Sequence, residues 1–220
     1  MKNKLLVGAT GFLGNRILQE LGKKDCLVTA FSRKNIKNLP KNATEKIINF
    51  DDLELVNFPK IDHVYLALGC PLFLHNLAGF INKDLKNNLY LVDYKYQLTI
   101  AKKALEVGAK SISLISAIGS NSSSINYYLR TKGKLENEIK KLGFESINIF
   151  RPGHIVGNKD RFDTVFADLM SAITDPFLLG PIKKFRSISI QDLPKAVVNL
   201  SSQEKSGINY YEFIDFKKSN

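Results

Sequence analysis

The chain has 220 residues, of which 44% are hydrophobic and 24% charged, proportions that suit one globular domain with a sizeable core. No stretch approaches the roughly 20 apolar residues of a membrane span, and the start "MKNKLLVGATG" breaks its apolar run too early for a secretory leader. The net charge of +11 does not mark a nucleic-acid surface, because the lysines are scattered in pairs such as "GKKD", "AKKAL" and "IKKFR" without aromatic interleaving or zinc-ligand spacing.

Short apolar runs alternate with segments of helical period along the chain. Strands are predicted at residues 4 to 9, 26 to 33, 45 to 50, 62 to 69, 111 to 116 and 146 to 150. Helices are predicted at residues 12 to 22, where Leu13, Ile17, Leu18 and Leu21 share a face, at about 84 to 107, and at about 126 to 142; each stops at a glycine. Continuously apolar strands separated by helices predict a doubly wound parallel sheet covered on both faces. The segment from about 157 to 186 carries Phe162, Phe166, Leu169, Met170, Phe177 and Leu178 at mixed helical spacing. It is predicted as an insertion on the substrate side of the same domain, these side chains forming either an apolar pocket or a packed patch of core.

Residues 8 to 14 read "GATGFLG" between the first strand and the first helix. Glycines there let a pyrophosphate lie against backbone amides at the positive end of the helix; a tight structural turn is the other reading of the triplet. The second strand ends in Ser32 and Arg33 rather than in an acid. An acid would serve the ribose hydroxyls of NAD, whereas a hydroxyl and a guanidinium suit the 2′-phosphate of NADP(H). An exposed arginine after a strand is the plain alternative.

Ser116 closes the fifth strand at the edge where such sheets place ligands, and Tyr128 and Lys132 lie one helical turn apart on the following helix. An ammonium beside a phenol favours the phenolate and brings its pKa down toward working range, while the serine can hold a carbonyl. Tyr127 is followed four residues later by Thr131, which supplies no charge.

The glycine pattern, Ser116 and "YLRTK" as Y-x-x-x-K together resemble the short-chain dehydrogenase/reductase superfamily, a Rossmann fold. "VDYKY", "LISAIGSNSSSINYYLRTKGKLENEI" and "NIFRPGHIVG" are similar to its small atypical members related to the Tat-interacting, tumour-suppressor oxidoreductase-like protein. The resemblance implies Ser116, Tyr128 and Lys132 as the catalytic triad of an NADP-dependent oxidoreductase. It implies that Gly8, Thr10, Gly11, Phe12, Leu13 and Gly14 line the pyrophosphate and that Asn49 and Phe50 hold the adenine edge, an asparagine standing where the family commonly has an aspartate. It further implies Ala67, Leu68 and Gly69 beneath the riboses, Tyr128 and Lys132 at the nicotinamide ribose, and Pro152, Gly153, His154 and Ile155 at the carboxamide. In "RSISIQDLPKAVVNL" it implies a late strand and a helix capped by Asp192.

The remaining conspicuous residues have plainer readings. Asp93 and Tyr96 are predicted to pack or support on the long helix, the serine run 120 to 124 to form a flexible loop over the site, and His63 and His75 to share no metal-ligand spacing. Cys26 and Cys70 suit reduced thiols. The expectation is therefore a cytoplasmic, NADP(H)-dependent enzyme acting on a small carbonyl or alcohol, with no nucleic-acid or membrane partner, as a monomer or homodimer. A non-catalytic NADPH-binding regulator is the rival.

Overall fold

A computed structural model describes residues 1–70, 81–157 and 162–219, with side chains in the last segment described from residue 168 onward. Seven parallel strands form one sheet in the order β3-β2-β1-β4-β5-β6-β9. Its strands are β1 (Lys2–Val7), β2 (Cys26–Ser32), β3 (Ala43–Ile47), β4 (His63–Leu66), β5 (Ser111–Ile115), β6 (Ser146–Phe150) and β9 (Gly207–Tyr211). The order reverses between β1 and β4, which is where a doubly wound sheet opens a crevice for a ligand.

Alternate residues of β1, β2, β4, β5 and β6 feed two separate cores. On one face Leu5, Val64, Ile112 and Ile147 meet Ile100 and Ala104 of helix α3 (Tyr96–Glu106) and Leu135 and Ile139 of α4 (Tyr127–Lys141). On the other, Leu6, Tyr65 and Phe150 meet Ile17, Leu18 and Leu21 of α1 (Phe12–Leu21) and Leu193 and Val197 of α6 (Asp192–Ser201). At about 1.5–3 kcal/mol for each fully buried large apolar side chain, this double burial explains why the central strands read as unbroken apolar runs.

The predicted sheet is present with one strand more. β9 pairs with β6, placing Tyr211 on the Phe150 ring at 5.1 Å. It escapes a reading of apolar runs because it is an edge strand whose Ile208 and Tyr210 face outward. β3 ends at Ile47, earlier than predicted, since Ile48 and Phe50 are buried beyond the ladder, in the approach to a 3-10 turn (Phe50–Leu55) capped by Asn49. The helix predicted at 84 to 107 is α2 (Lys83–Tyr90) and α3, joined by a π-helical turn at Leu91–Lys95. Asp192 does not cap α6: it is the first helical residue and pairs with Lys217 of α7 (Phe213–Lys218) at 2.7 Å.

Residues 157 to 186 contain α5 (Phe162–Thr174) and two short 3-10 turns. The segment lies between β7 (Ile155–Val156) and β8 (Ile188–Ser189), which pair with each other in parallel. Leu169, Met170 and Phe177 are exposed, so these three form no patch of core; the Phe162 and Phe166 side chains, like all of His75, lie outside the described residues. Among the described residues no helix is long and apolar enough to cross a membrane.

His63 is buried on β4, with Nε2 2.8 Å from Ser113 Oγ and its ring stacked on Tyr65. Burial first, and then the positive charges of Lys4 and Lys2, hold its pKa down to about 3. The unfolded chain therefore binds a proton here that the folded chain refuses between about pH 6.5 and 3, so stability falls as pH falls through that window. In His63→Gln, urea unfolding should lose up to ~1.4 kcal/mol per pH unit of that slope; an unchanged slope would assign the acid sensitivity elsewhere.

Candidate active site

Gly8 follows β1 with φ +98°, and a Cβ on it would stand 2.5 Å from the Ala67 carbonyl oxygen. Its lack of a side chain lets the loops after β1 and β4 close on each other. A Cβ on Gly14 would stand 2.1 Å from the Gly8 oxygen, so this glycine seats α1 against the loop. Gly11 opens α1 without a side-chain cap, and the first turn holds no acidic residue. The helix thus presents backbone N–H groups and the positive end of its dipole without a built-in anion.

A groove at this edge is lined by Gly8, Thr10, Gly11, Ser32, Arg33, Phe50, Ala67, Leu68 and Gly69, together with Phe31, Val92 and Tyr96. Nine residues assigned to the cofactor from the sequence thus share one surface, with Tyr96, expected only to pack or support, beside them. Ser32 is 2% exposed and its Oγ has no hydrogen-bond partner among the described residues. A buried hydroxyl left unpaired costs about 1–3 kcal/mol, which a ligand oxygen in the groove would offset. Arg33 is exposed and makes no ion pair among the described residues. Phe50 and Tyr96 lie 5.7 Å apart, and the Tyr96 hydroxyl donates to Asp51.

Phe12, Leu13, Gly14 and Asn49 do not line this groove. The Arg16 guanidinium sits 5.5 Å from the Phe12 ring centre, Leu13 packs on the core beneath α1, and Asn49 spends its side chain on the Asp51 N–H and on Asp52. Phe31 and Val92 were not singled out in the sequence, since each is an ordinary apolar residue of its element.

Helix α4 brings Tyr128, Lys132 and Glu136 to one face at intervals of four residues. Lys132 and Asp93 are both buried and pair at 2.9 Å. The second Asp93 oxygen accepts the Cys70 N–H at 2.8 Å, and Lys132 also donates to the Ile115 carbonyl at 3.3 Å. The π-helical turn carries Asp93; such turns are frequent at functional sites. Burial disfavours the Lys132 charge, yet Asp93 more than restores it and holds the ammonium above its ordinary pKa. Burial also pushes the Tyr128 phenol up; Lys132, 6.0 Å from the ring centre, pulls it down, and Asp93 pushes it up again. The lowered phenol expected from the Tyr128–Lys132 spacing is therefore corrected: desolvation and Asp93 outweigh the lysine, leaving a protonated hydroxyl. The same surroundings push the Cys70 thiol up to about 12, by burial first and then Asp93.

Ser116 is buried at the end of β5 and donates to Glu136, with Ser120 Oγ 3.0 Å away. Glu136 in turn is clamped by Arg151, whose Nε donates at 3.0 Å and whose second nitrogen closes the pair. To hold a carbonyl, the Ser116 hydroxyl would first have to turn from this carboxylate. The serine loop is pinned, not loose: a Cβ on Gly133 would meet the Asn121 carbonyl carbon at 2.3 Å, and Asn137 donates to Ser122 Oγ. Tyr127 is turned away toward the Lys86 carbonyl. In the loop after β6, the His154 ring lies 2.6 Å from Asp168 of α5, which also accepts the Gly157 N–H, while the Pro152 and His154 carbonyls accept from Ile118 and Ile188.

No family model matches the chain. Protein FMP52-2, mitochondrial, of Scheffersomyces stipitis is 31% identical over 170 residues, covering 77% of this chain and 73% of its own. Protein fmp52, mitochondrial, of Emericella nidulans is 31% identical over 170 residues, with 73% and 70% covered. The chain belongs to the FMP52 family. The Debaryomyces hansenii member is 25% identical over 202 residues, covering 90% of this chain and 87% of its own. The assignment to a Tat-interacting branch is corrected accordingly: the motifs that suggested it sit in a sequence whose relatives are FMP52 proteins. The cytoplasmic expectation also falls, because these relatives carry "mitochondrial" in their names.

Among solved structures, an NAD-dependent epimerase/dehydratase from Bacillus halodurans superposes with TM-score 0.67 at 20% identity, covering 96% of this FMP52 chain and 92% of its own. A 2-deoxy-d-gluconate 3-dehydrogenase from Agrobacterium tumefaciens with bound NADP gives TM-score 0.70 at 19% identity, with 95% and 94% covered. At that identity the likeness establishes the Rossmann fold.

Proposed function

We propose that this FMP52 protein is an NADP(H)-dependent oxidoreductase that reduces a small carbonyl compound, acting in mitochondria as the names of its relatives suggest. The observation that carries the reading is the buried Ser32 hydroxyl beside Arg33, neither with a partner of its kind among the described residues, at the end of a groove that begins on Gly8 and Gly11. Gly8, Thr10 and Gly11 would receive the pyrophosphate, Ser32 and Arg33 the 2′-phosphate, Phe50 and Tyr96 the adenine, and Ala67 to Gly69 the riboses. A bound nicotinamide supplies hydride. Tyr128 keeps its proton at neutral pH because burial and Asp93 outweigh Lys132, and it donates that proton to the carbonyl oxygen. Lys132, held by Asp93, is the charge that steadies the phenolate left behind.

Tyr128→Phe removes the transferable proton and leaves the groove intact. With NADPH and a panel of aldehydes and ketones, wild type should oxidise the cofactor and Tyr128→Phe should lose about 10²–10⁴-fold in rate with unchanged NADPH affinity. Equal rates in both proteins would remove Tyr128 from the chemistry. NADPH binding without turnover of any panel member, together with full cellular function of Tyr128→Phe, would favour an NADPH-responsive regulator instead.

A further inference from the structure

At the end of the sheet opposite the groove, where the strands begin, a second cavity of about 340 Å³ lies among β1, β4, β5, β6 and the turns before β2 and after α6. Lys4 lines it while only 8% exposed. Its ammonium touches the Tyr65 hydroxyl at 3.5 Å and has no carboxylate within ion-pair distance among the described residues. Two of the neighbouring cations are matched, Lys2 by Glu204 and Lys110 by Glu145, while Lys24 donates to the neutral amide oxygen of Asn199. Asp62 at the mouth accepts the Asn3 N–H, and Asp25 is the remaining carboxylate of the lining.

A buried ammonium without a counter-charge is costly, and an apolar side chain in its place would pack more cheaply. Cys26 beside it offers no compensation, since burial pushes that thiol up and keeps it neutral. The cavity that holds the ammonium is also lined by the hydroxyls of Ser111 and Ser146 and by the neutral His63, whereas the Ser201 hydroxyl is spent on the Val198 carbonyl. A buried, unpaired positive charge with short hydroxyl donors beside it matches a tetrahedral oxyanion, whose several oxygens take donors from different sides, although Asp25 and Asp62 share the lining.

We propose that this cavity binds a phosphate group, with the Lys4 ammonium as counter-ion and the serine hydroxyls as further donors. The ligand is inorganic phosphate or the phosphate of a small monoester, and the site is separate from the dinucleotide groove at the other end of the strands. The test is a titration of the full chain with sodium phosphate at constant ionic strength, followed through backbone amide shifts in NMR, with a parallel titration using glycerol 3-phosphate. Saturable shifts are expected at Cys26, Ser111 and Ser202, distinct from any at Gly11 to Leu13, and tighter binding of one titrant identifies the free ion or the ester as the preferred source. Lys4→Met should stay folded, with a midpoint of unfolding no lower than wild type, and bind at this locus at least ~10-fold more weakly, or about 1.4 kcal/mol. Lys4→Arg, which keeps the charge, should retain binding and serves if the methionine variant does not fold. An absence of saturable shifts at these amides, equal shifts with sodium chloride, or undiminished binding without the Lys4 charge would overturn the proposal.

Discussion

Asp93→Ala should destabilise the protein by about 3–5 kcal/mol, because it strands the buried Lys132 ammonium without its partner. It also removes the acceptor of the Cys70 N–H. The double variant Asp93→Leu with Lys132→Met should recover much of that loss, since a buried ion pair gains little over well-packed apolar groups once desolvation is counted. Urea unfolding of wild type, both single variants and the double variant decides the matter; additive losses would show that the two residues are not coupled. Asp93→Asn separates the charge from the hydrogen bond. With the carboxylate gone, Lys132 acts on Tyr128 unopposed and the phenol loses its proton at lower pH. On the proposed mechanism reduction needs that proton, so activity lost as pH rises through the phenol's pKa should be lost at lower pH in Asp93→Asn than in wild type.

Gly14→Ala should abolish dinucleotide binding and cost more than the ~1–3 kcal/mol of ordinary overpacking. The added Cβ would stand 2.1 Å from the Gly8 oxygen and 2.7 Å from its carbon, and both are backbone atoms of the loop that forms the groove floor. Only a shift of α1 away from β1 relieves such a contact, and that shift withdraws the amides of the first helical turn. Gly108→Ala is the matched control: Gly108 has φ +98° but nothing within 4 Å of an added Cβ. It should cost about 1–2 kcal/mol of left-handed strain with nucleotide affinity unchanged. Comparable binding by Gly14→Ala and wild type in calorimetry would mean that the loop is not the cofactor's cradle.

The sheet was legible because its central strands are buried on both faces, which leaves a signal as plain as "LLV" before the glycines or "SISLIS" before the serine loop. β9 was not, since an edge strand with Ile208 and Tyr210 facing outward lacks the double burial that makes a continuous apolar run. The groove residues near Gly8 and Ser32 were legible from their places at strand ends, which the switch point brings together whatever the detailed packing, while Ala67 to Gly69 came from the family resemblance alone. The electrostatics around Tyr128 were not. Spacing reveals the lysine one turn away, but the carboxylate that offsets it comes from a distant helix through a π-helical turn that residue periodicity hides. The Glu136–Arg151 pair holding Ser116 is hidden for the same reason, because it joins helix and loop across the end of the sheet.

The central claim is the NADP(H) groove, and calorimetric titration with NADPH and with NADH, on wild type and on Arg33→Ala, tests it most directly. Wild type should bind NADPH more tightly than NADH, and Arg33→Ala should lose about 10-fold or more for NADPH, the ~1.5–3 kcal/mol of a charge-assisted hydrogen bond, while NADH affinity stays nearly constant. Equal affinity of wild type for the two nucleotides would contradict the assignment of Ser32 and Arg33 to a 2′-phosphate. No binding of either would reduce "GATGFLG" to a structural turn, and the oxidoreductase reading would fall with it.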